Sequence, residues 1–321
     1  ADYALFLGLR FVGIIEAKRF AEDASAYIET AKTYARLATL RGDEQFVGGP
    51  WSGCRVPFLF AANGREFMPE NSIKSGLWFL DARKPTNHPA PIRGWFSPND
   101  LEAMLKQRDA EQANAALNET AFDKLAAKDG LALRDYQIKA IQAVEQAIRD
   151  GKRQMLVTMA TGTGKTRAAI GLIYRLIEHQ RFRRILFVVD RESLGEQAFD
   201  NFKNARMEQL MQFTDIYDVK GLAEKIPEET TKAHICTVQS LVRRVVTYDA
   251  ERGLPRPGVG QYDCIIVDEA HRGYLLDREM DEDDLAFESQ KDYISMYRAA
   301  IEYFDAVRIG LTATPALHTT Q

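Results

Sequence analysis

Gln154-Met-Leu-Val-Thr-Met-Ala-Thr-Gly-Thr-Gly-Lys-Thr166 decides the fold of this 321-residue chain. Gln154 to Thr158 is a short apolar run of strand type, and Thr166 to Ile177 carries apolar residues at helical spacing. The turn between them is Thr161, Gly162, Thr163 and Gly164. A Gly-rich turn from a strand into a helix aims backbone amides at one point, and the helix N-terminus adds partial positive charge. Phosphate oxygens fit such a turn. Lys165 then reaches the β and γ phosphates of a nucleoside triphosphate, and the Thr166 hydroxyl can ligate magnesium. ATP and Mg2+ are the expected cofactors.

Outward from this stretch the chain alternates helix and strand. Tyr136, Ala140, Ile141, Val144 and Ile148 mark one helix face, closed by Gly151. A strand at Ile185 to Val189 and a helix at Glu192 to Phe202 follow. Further strands are predicted at Ile235 to Val238, Cys264 to Val267 and Val307 to Thr312. Continuous apolar strands between amphipathic helices indicate an α/β fold, with a parallel sheet covered on both faces. Asp268-Glu269 closes the strand Cys264-Ile-Ile-Val267, so both carboxylates emerge at its C-terminal edge. Asp268 is the candidate to hold magnesium, and Glu269 to position and deprotonate an attacking water. Alone, the pair reads as an exposed acidic strand end; the phosphate loop is what gives it a role. Asp190-Arg-Glu-Ser-Leu194 and Thr237-Val-Gln-Ser-Leu241 also follow strands. Their hydroxyls and amides suit either phosphate contacts or plain helix caps.

The front of the chain has another rhythm. Tyr3 to Leu7 and Phe11 to Ile15 flank Gly8-Leu-Arg10 as a hairpin, and a helix pattern runs from Ala24 to Leu40. Residues 45–97 read as short strands and turns. Ser97-Pro-Asn-Asp100 then caps a polar, Ala-rich helical stretch to about Lys128, with the composition of a connector. The expected domains are residues 1–105, a helical connector at 106–130, and the phosphate-loop domain at 131–321. Strand alternation puts Glu16 and Lys18 on one face, with Asp2 on the partner strand. Asp2 and Glu16 are candidates to share a divalent metal, and Lys18 to orient or activate a water against a phosphodiester. A salt-bridged surface face is the plain alternative.

The net charge of -4 excludes coating nucleic acid by charge alone, so phosphate contacts need local clusters. Arg181, Arg183 and Arg184, or Arg243 and Arg244, are the candidates; otherwise they are solvated faces. Cys54, Cys236 and Cys264 lack metal-type spacing, and Cys236 and Cys264 sit in apolar runs as core residues. Asp281-Glu-Asp-Asp284 reads as a solvated loop. Without a membrane-length apolar run or signal peptide, the chain is expected to be soluble and cytoplasmic. It opens in mid-strand without Met, and residues upstream are expected.

Met159 stands where the broad phosphate-loop pattern has its first Gly, and Met159-Ala-Thr-Gly-Thr-Gly-Lys-Thr166 resembles superfamily-2 helicases. Asp268-Glu-Ala-His271 and Thr312-Ala-Thr-Pro315 carry the same resemblance. It implies a RecA-like motor domain in which Arg134-Asp-Tyr-Gln137 reads adenine through Gln137. Gly310-Leu-Thr-Ala-Thr-Pro315 would couple hydrolysis to the DNA path. Asp2, Glu16 and Lys18 are similar to the PD-(D/E)xK nucleases, with Ala1 in place of Pro. The two together resemble the restriction (R) subunit of Type I restriction-modification enzymes. Ala1-Asp-Tyr3, Ile15-Glu-Ala-Lys18, Leu80-Asp-Ala-Arg83, Leu133-Arg-Asp-Tyr-Gln137, Asp268-Glu-Ala-His-Arg-Gly273 and Tyr303-Phe-Asp-Ala306 also carry that resemblance. In that family a Q-x-x-x-Y element follows the nuclease lysine; Tyr34 fits it, Thr30 replaces Gln, and Glu29 is a neighbouring substitute.

The resemblance implies ATP-dependent translocation of double-stranded DNA coupled to magnesium-dependent endonucleolytic cleavage. It implies methylation (M) and specificity (S) subunits as partners, and no membrane. A working motor of this kind has a second RecA-like domain bearing an arginine finger, and none follows Pro315. The chain alone is therefore expected to bind nucleotide without efficient hydrolysis or translocation. A Type III subunit fits less well, because its nuclease follows the motor. A superfamily-2 repair or remodelling helicase without nuclease activity, and a nucleotide-binding docking module, remain the other readings.

Overall fold

The computed structural model describes residues 1–107, 110–189, 192–205, 212–221, 227–247, 256–270 and 290–313, with backbone alone at 192–194 and 290–293. The chain forms two compact units, Ala1–Glu102 and Ala103–Gln321.

In the first unit, β1 (Tyr3–Leu7) and β2 (Arg10–Ala17) form the expected hairpin, turning at Gly8. A 3-10 turn at Ala24–Tyr27 leads into α1 (Ile28–Leu37), so the helix is shorter than its sequence pattern suggests. The two-residue strand β3 (Gln45–Phe46) pairs with β2, and β4 (Phe58–Ala62), β5 (Leu77–Asp81) and β6 (Ala90–Pro91) complete the mixed sheet. Its order is β1-β2-β4-β5-β6, with β2 and β4 parallel and the other neighbours on that path antiparallel. Ile28, Ala31 and Ala35 place one stripe of α1 in a core with Ile14, Leu59 and Leu80. Small residues on that stripe let the helix approach the sheet closely. Phe58, Phe60, Phe79 and Phe96 form a separate aromatic cluster.

Helix α2 (Pro98–Lys106) begins at the expected Ser97-Pro-Asn-Asp100 cap, where Asp100 N donates to Ser97 Oγ and Ser97 N to the Asp100 carboxylate. The rest of the stretch read as a connector breaks into α3 (Ala110–Glu119) and α4 (Asp123–Ala126). These helices are not a free linker: Leu117 and Leu125 are buried in the core of the second unit. Sparse apolar residues hid that role, since one Leu per helix anchors each.

The second unit continues with α5 (Asp135–Arg149), β7 (Gln154–Thr158), α6 (Lys165–Glu178), β8 (Ile185–Val189), α7 (Glu192–Asn204) and α8 (Phe213–Ile216). Then come β9 (Val219–Lys220), β10 (Ala233–Thr237), α9 (Val238–Val245), β11 (Cys264–Val267), α10 (Gln290–Glu302) and β12 (Val307–Thr312). All six strands are parallel, in the order β7-β12-β11-β8-β10-β9. Every residue of β8, β10 and β11 is buried, which a strand achieves only when both faces are covered. Ile185, Phe187, Ile266 and Ile309 meet Ile141, Val144, Ile173 and Phe202 of the helices on one face.

Between α5 and α6 lies an ion pair that the apolar pattern did not reveal. Arg175 Nε donates to Glu145 Oε1 at 2.6 Å, and each side chain is 2% exposed. Arg175 also donates to the carbonyls of Leu117, Thr120 and Ala121 and stacks 3.9 Å from the Phe122 ring. Burial pushes the Glu145 carboxyl above its ordinary value, against the opposing pull of Arg175.

Candidate functional site

Parallel strands bring their C-terminal ends to one edge, where ligands of such sheets bind. Met159, just past β7, donates its N–H to the Thr312 carbonyl at the end of β12, which ties the loop start to that edge. Gly162 (φ 73°) and Gly164 (φ 79°) lie in the left-handed region. Gly164 has a second reason to lack a side chain: a Cβ there would stand 2.7 Å from Gln137 Nε2. Gly164 is the N-cap of α6, and no side chain among the described residues caps that end. The first amides of the helix thus face outward, as an anion site requires.

β11 delivers Asp268 and Glu269 to the same edge. Lys165 Nζ lies 2.9 Å from Glu269 Oε1, so the loop lysine and strand-end carboxylate meet across 104 residues of sequence. Glu269 adopts φ 48°, a left-handed turn that a side chain rarely takes, and its N–H donates to Asp268 Oδ1 at 3.0 Å. This turn aims the two carboxylates differently. Thr161 is exposed and Thr166 half-buried beside the loop; the Thr163 hydroxyl donates back to the Ala160 carbonyl at 2.6 Å. Lys165, the loop amides, Thr166 and Asp268 supply the cation, donors and oxygens that a magnesium-bound triphosphate needs, so the residues fit the group.

Gln137, expected to read adenine, packs against the phosphate loop. It is 3% exposed, and its Nε2 donates to the carbonyls of Thr163 at 3.0 Å and Gly164 at 3.1 Å. Its Oε1 accepts from Arg134 N at 2.8 Å, closing a capping box at the start of α5. Both amide hydrogens are therefore committed to the phosphate loop. Tyr136 was read as sharing one face of α5 with Ile141, Val144 and Ile148, which are buried. Instead it is 41% exposed, and its hydroxyl donates to the same Thr163 carbonyl at 2.8 Å. A tyrosine counts as apolar in a periodicity pattern, and its polar end made the difference here.

In the first unit, the β1–β2 register pairs Tyr3 with Ile15, which brings Asp2 beside Glu16 and Ala17. Asp2 Oδ2 accepts from Ala17 N at 2.7 Å. Lys18 Nζ donates to Glu16 Oε1 at 2.5 Å and sits 4.6 Å from the Tyr27 ring centre. The hydrogen bond to Glu16 holds the Lys18 ammonium above the ordinary lysine value, with the Glu16 and Asp2 charges adding to it. Glu16 is 4% exposed, yet its Oε2 has no hydrogen-bond partner among the described residues. A buried carboxylate oxygen left without a donor is costly unless something positive reaches it. Two carboxylates and one orphaned oxygen fit a divalent cation, although among the described residues no group of three or more His, Cys, Asp or Glu side chains gathers for one. Tyr27 was not anticipated beside Lys18; the sequence signal was its place at the foot of α1. Glu29 is exposed and bonded to Lys32, and Tyr34 is 39% exposed.

Residues 130–317 match the family model described as "Type III restriction enzyme, res subunit". The chain belongs to that family. Residues 1–105 match a second model, "Type I restriction enzyme EcoKI endonuclease subunit second domain". The Type III name thus attaches to residues 130–317 alone, and the unit in front of them matches a Type I model. The chain is 43% identical to the Type I restriction enzyme EcoKI endonuclease subunit of Escherichia coli (strain K12), covering 100% of this chain and 28% of that relative. It is 26% identical to the EcoAI endonuclease subunit of Escherichia coli, over 95% of this chain and 31% of the relative. Less than a third of those relatives' length is therefore spanned. The solved Sulfolobus solfataricus SWI2/SNF2 ATPase core in complex with dsDNA aligns at 17% identity over 58% of this chain and 33% of that one, with a TM-score of 0.40.

Several family-type segments take structural roles. Arg183 donates to the Gly260 carbonyl and to Asp263, Arg184 to the carbonyls of Thr231 and Glu228, and Arg181 to Asn114. This arginine cluster ties loops together and is not a free phosphate patch. Thr237 Oγ1 accepts from Ser240 N at 3.2 Å, so that segment is a helix cap, and Thr237 and Gln239 are buried. Asp190, Arg191, the acidic Asp281–Asp284, His271 to Gly273, Thr314 and Pro315 lie outside the described residues. Cys54, Cys236 and Cys264 are buried free thiols; burial raises all three, Cys236 to about 12. No helix among the described residues is long and apolar enough to cross a membrane.

Proposed function

We propose that this chain is the part of a Type I restriction endonuclease subunit that joins a nuclease unit to the first RecA-like domain of an ATP-driven motor on double-stranded DNA. The observation that carries the motor is the convergence of Lys165 and Glu269 at 2.9 Å over the uncapped start of α6. Lys165, the loop amides around Gly162 to Gly164, and Thr161 and Thr163 bind the phosphates of ATP. Thr166 and Asp268 hold its Mg2+, which neutralises phosphate charge. When phosphate draws Lys165 away, Glu269 is released to accept a proton from water. Residues 1–105 act as the PD-(D/E)xK unit, residues 106–130 lead into the motor, and residues 131–321 carry it.

In the first unit, Asp2 and Glu16 hold a second Mg2+, and the orphaned Glu16 Oε2 supports this. Such an ion would polarise the phosphodiester. Lys18, beside Glu16, acts there as a cation that orients water and screens phosphate charge. The enzyme works in the cytoplasm with methylation and specificity subunits, which supply DNA sequence recognition.

In the reconstituted complex, Glu16→Ala or Lys18→Ala should stop cutting while translocation on double-stranded DNA continues. Loss of both activities together would make those residues structural and remove the nuclease assignment.

A further inference from the structure

Lys18 leaves the end of β2 with its backbone already fixed, since its N–H donates to the Ala62 carbonyl of β4 at 2.7 Å. Its side chain is held separately. The ammonium donates to Glu16 Oε1 at 2.5 Å, its one hydrogen-bond partner among the described residues, and stands 4.6 Å from the centre of the Tyr27 ring. A cation over an aromatic face at that distance is attracted by the ring's electrons, and more strongly the less water reaches it. The Lys18 side chain is 20% exposed.

The Tyr27 ring is itself braced. Its hydroxyl donates to Glu22 Oε2 at 2.5 Å. The Glu22 carbonyl accepts from Asn63 Nδ2 at 2.5 Å, and the Glu22 N–H donates to the Arg19 carbonyl at 3.0 Å. Asn63 is 5% exposed just past β4, and its Oδ1 accepts from Arg65 N at 3.0 Å. A chain of bonds therefore runs from a buried side chain through Glu22 to the ring over Lys18. A phenol that donates to a carboxylate takes up part of its negative charge, which deepens the attraction of its face for a cation.

Glu16 cannot serve fully both as a metal ligand and as the sole anchor of Lys18. When its carboxylate turns to a divalent cation, its hold on the ammonium weakens, whereas the Tyr27 face is untouched by that exchange. We propose that Tyr27 is a positioning residue of the nuclease unit, whose ring face keeps the Lys18 ammonium beside the scissile phosphate when Glu16 is engaged elsewhere. The proposal rests on the nuclease reading of the first unit. Glu22 and Asn63 fix the ring, and a displacement of about an ångström is enough to slow a reaction that depends on a placed charge. Tyr27 also packs against the α1 core, a role that leucine would fill as well.

Proton–carbon spectra of the metal-free chain, with its lysines carbon-13-labelled at the ε position, read this placement directly. The Lys18 ε-methylene signal, identified by its loss in Lys18→Arg, should lie upfield of the other lysines through the ring current of Tyr27. The displacement should persist in Glu16→Gln and vanish in Tyr27→Leu. In the reconstituted complex, Tyr27→Leu should slow cutting about tenfold, the scale of one partly desolvated cation–π contact, with translocation unchanged. Tyr27→Phe keeps the ring face and should cut within about threefold of the unaltered complex. An unshifted Lys18 signal, or a shift lost in Glu16→Gln, would overturn the proposal. So would undiminished cutting by Tyr27→Leu, or an equal loss in Tyr27→Phe and Tyr27→Leu. Should Tyr27→Leu fail to fold, the spectra of the unaltered chain and of Glu16→Gln still decide. If Lys18→Ala cuts like the unaltered complex, the nuclease reading itself falls, whatever the spectra show.

Discussion

The ammonium of Lys165 lies 2.9 Å from the Glu269 carboxylate, with the two side chains 11% and 25% exposed. The contact neutralises both groups that the chemistry needs and holds them where phosphate would arrive. Binding must exchange one partner for another. Glu269→Gln should therefore keep nucleotide binding, and tighten it by up to about fivefold, the range of a partly exposed ion pair. Hydrolysis in the intact subunit should fall by about 10² to 10⁴, the usual contribution of a general base. Titration and phosphate release on the same preparation would check both; retained hydrolysis would remove Glu269 from the role.

Gly164→Ala should disable the loop without touching a charged group. The residue sits at φ 79°, and the added Cβ would meet Gln137 Nε2 at 2.7 Å. Left-handed strain costs about 1 to 3 kcal/mol, and moving Gln137 would free the loop carbonyls it now holds. Loss of nucleotide affinity with a melting temperature lowered by only several degrees is the expected outcome.

Arg175→Met leaves Glu145 buried without its partner and frees the carbonyls of Leu117, Thr120 and Ala121. Breaking one side of a buried pair costs about 3 to 5 kcal/mol. Urea unfolding should show that loss. The double variant Arg175→Met with Glu145→Leu should recover much of it, because an apolar pair removes the stranded charge.

Manganese soaked into crystals of the chain should give anomalous density against Glu16 Oε2, the buried oxygen without a partner, and Glu16→Gln should abolish it. Lys18 sets the pH behaviour of this corner. Its folded value lies above the ordinary one, so the Glu16–Lys18 attraction is complete below the ordinary lysine value. It is lost only as pH rises through the higher folded value. Between about pH 7 and 9, cutting by the full complex should show no step assignable to Lys18. A base-type rise across that range that disappears in Lys18→Arg would show that Lys18 does give up its proton.

The second sheet was legible because buried parallel strands are unbroken apolar runs: β7, β8, β11 and β12 match their sequence readings residue for residue. β9 was invisible, since Val219–Lys220 has too few residues to show a period. Segment 110–126 read as a connector because single leucines, and the backbone carbonyls that Arg175 binds, leave no pattern. Glu145 carries no sign of its burial in the pattern either, since its partner Arg175 is 30 residues away in sequence. At the candidate site, Lys165 and Glu269 were readable from local motifs. The commitment of Gln137 to the loop depends on α5 and the start of α6 meeting in space, which short motifs do not encode.

Calorimetric titration of the chain with a non-hydrolysable ATP analogue and magnesium, beside its Lys165→Ala variant, tests the motor reading most directly. Saturable one-to-one binding that Lys165→Ala abolishes, with both proteins melting alike, is the expected result. Equal affinity in the two would contradict the phosphate loop and with it the motor assignment.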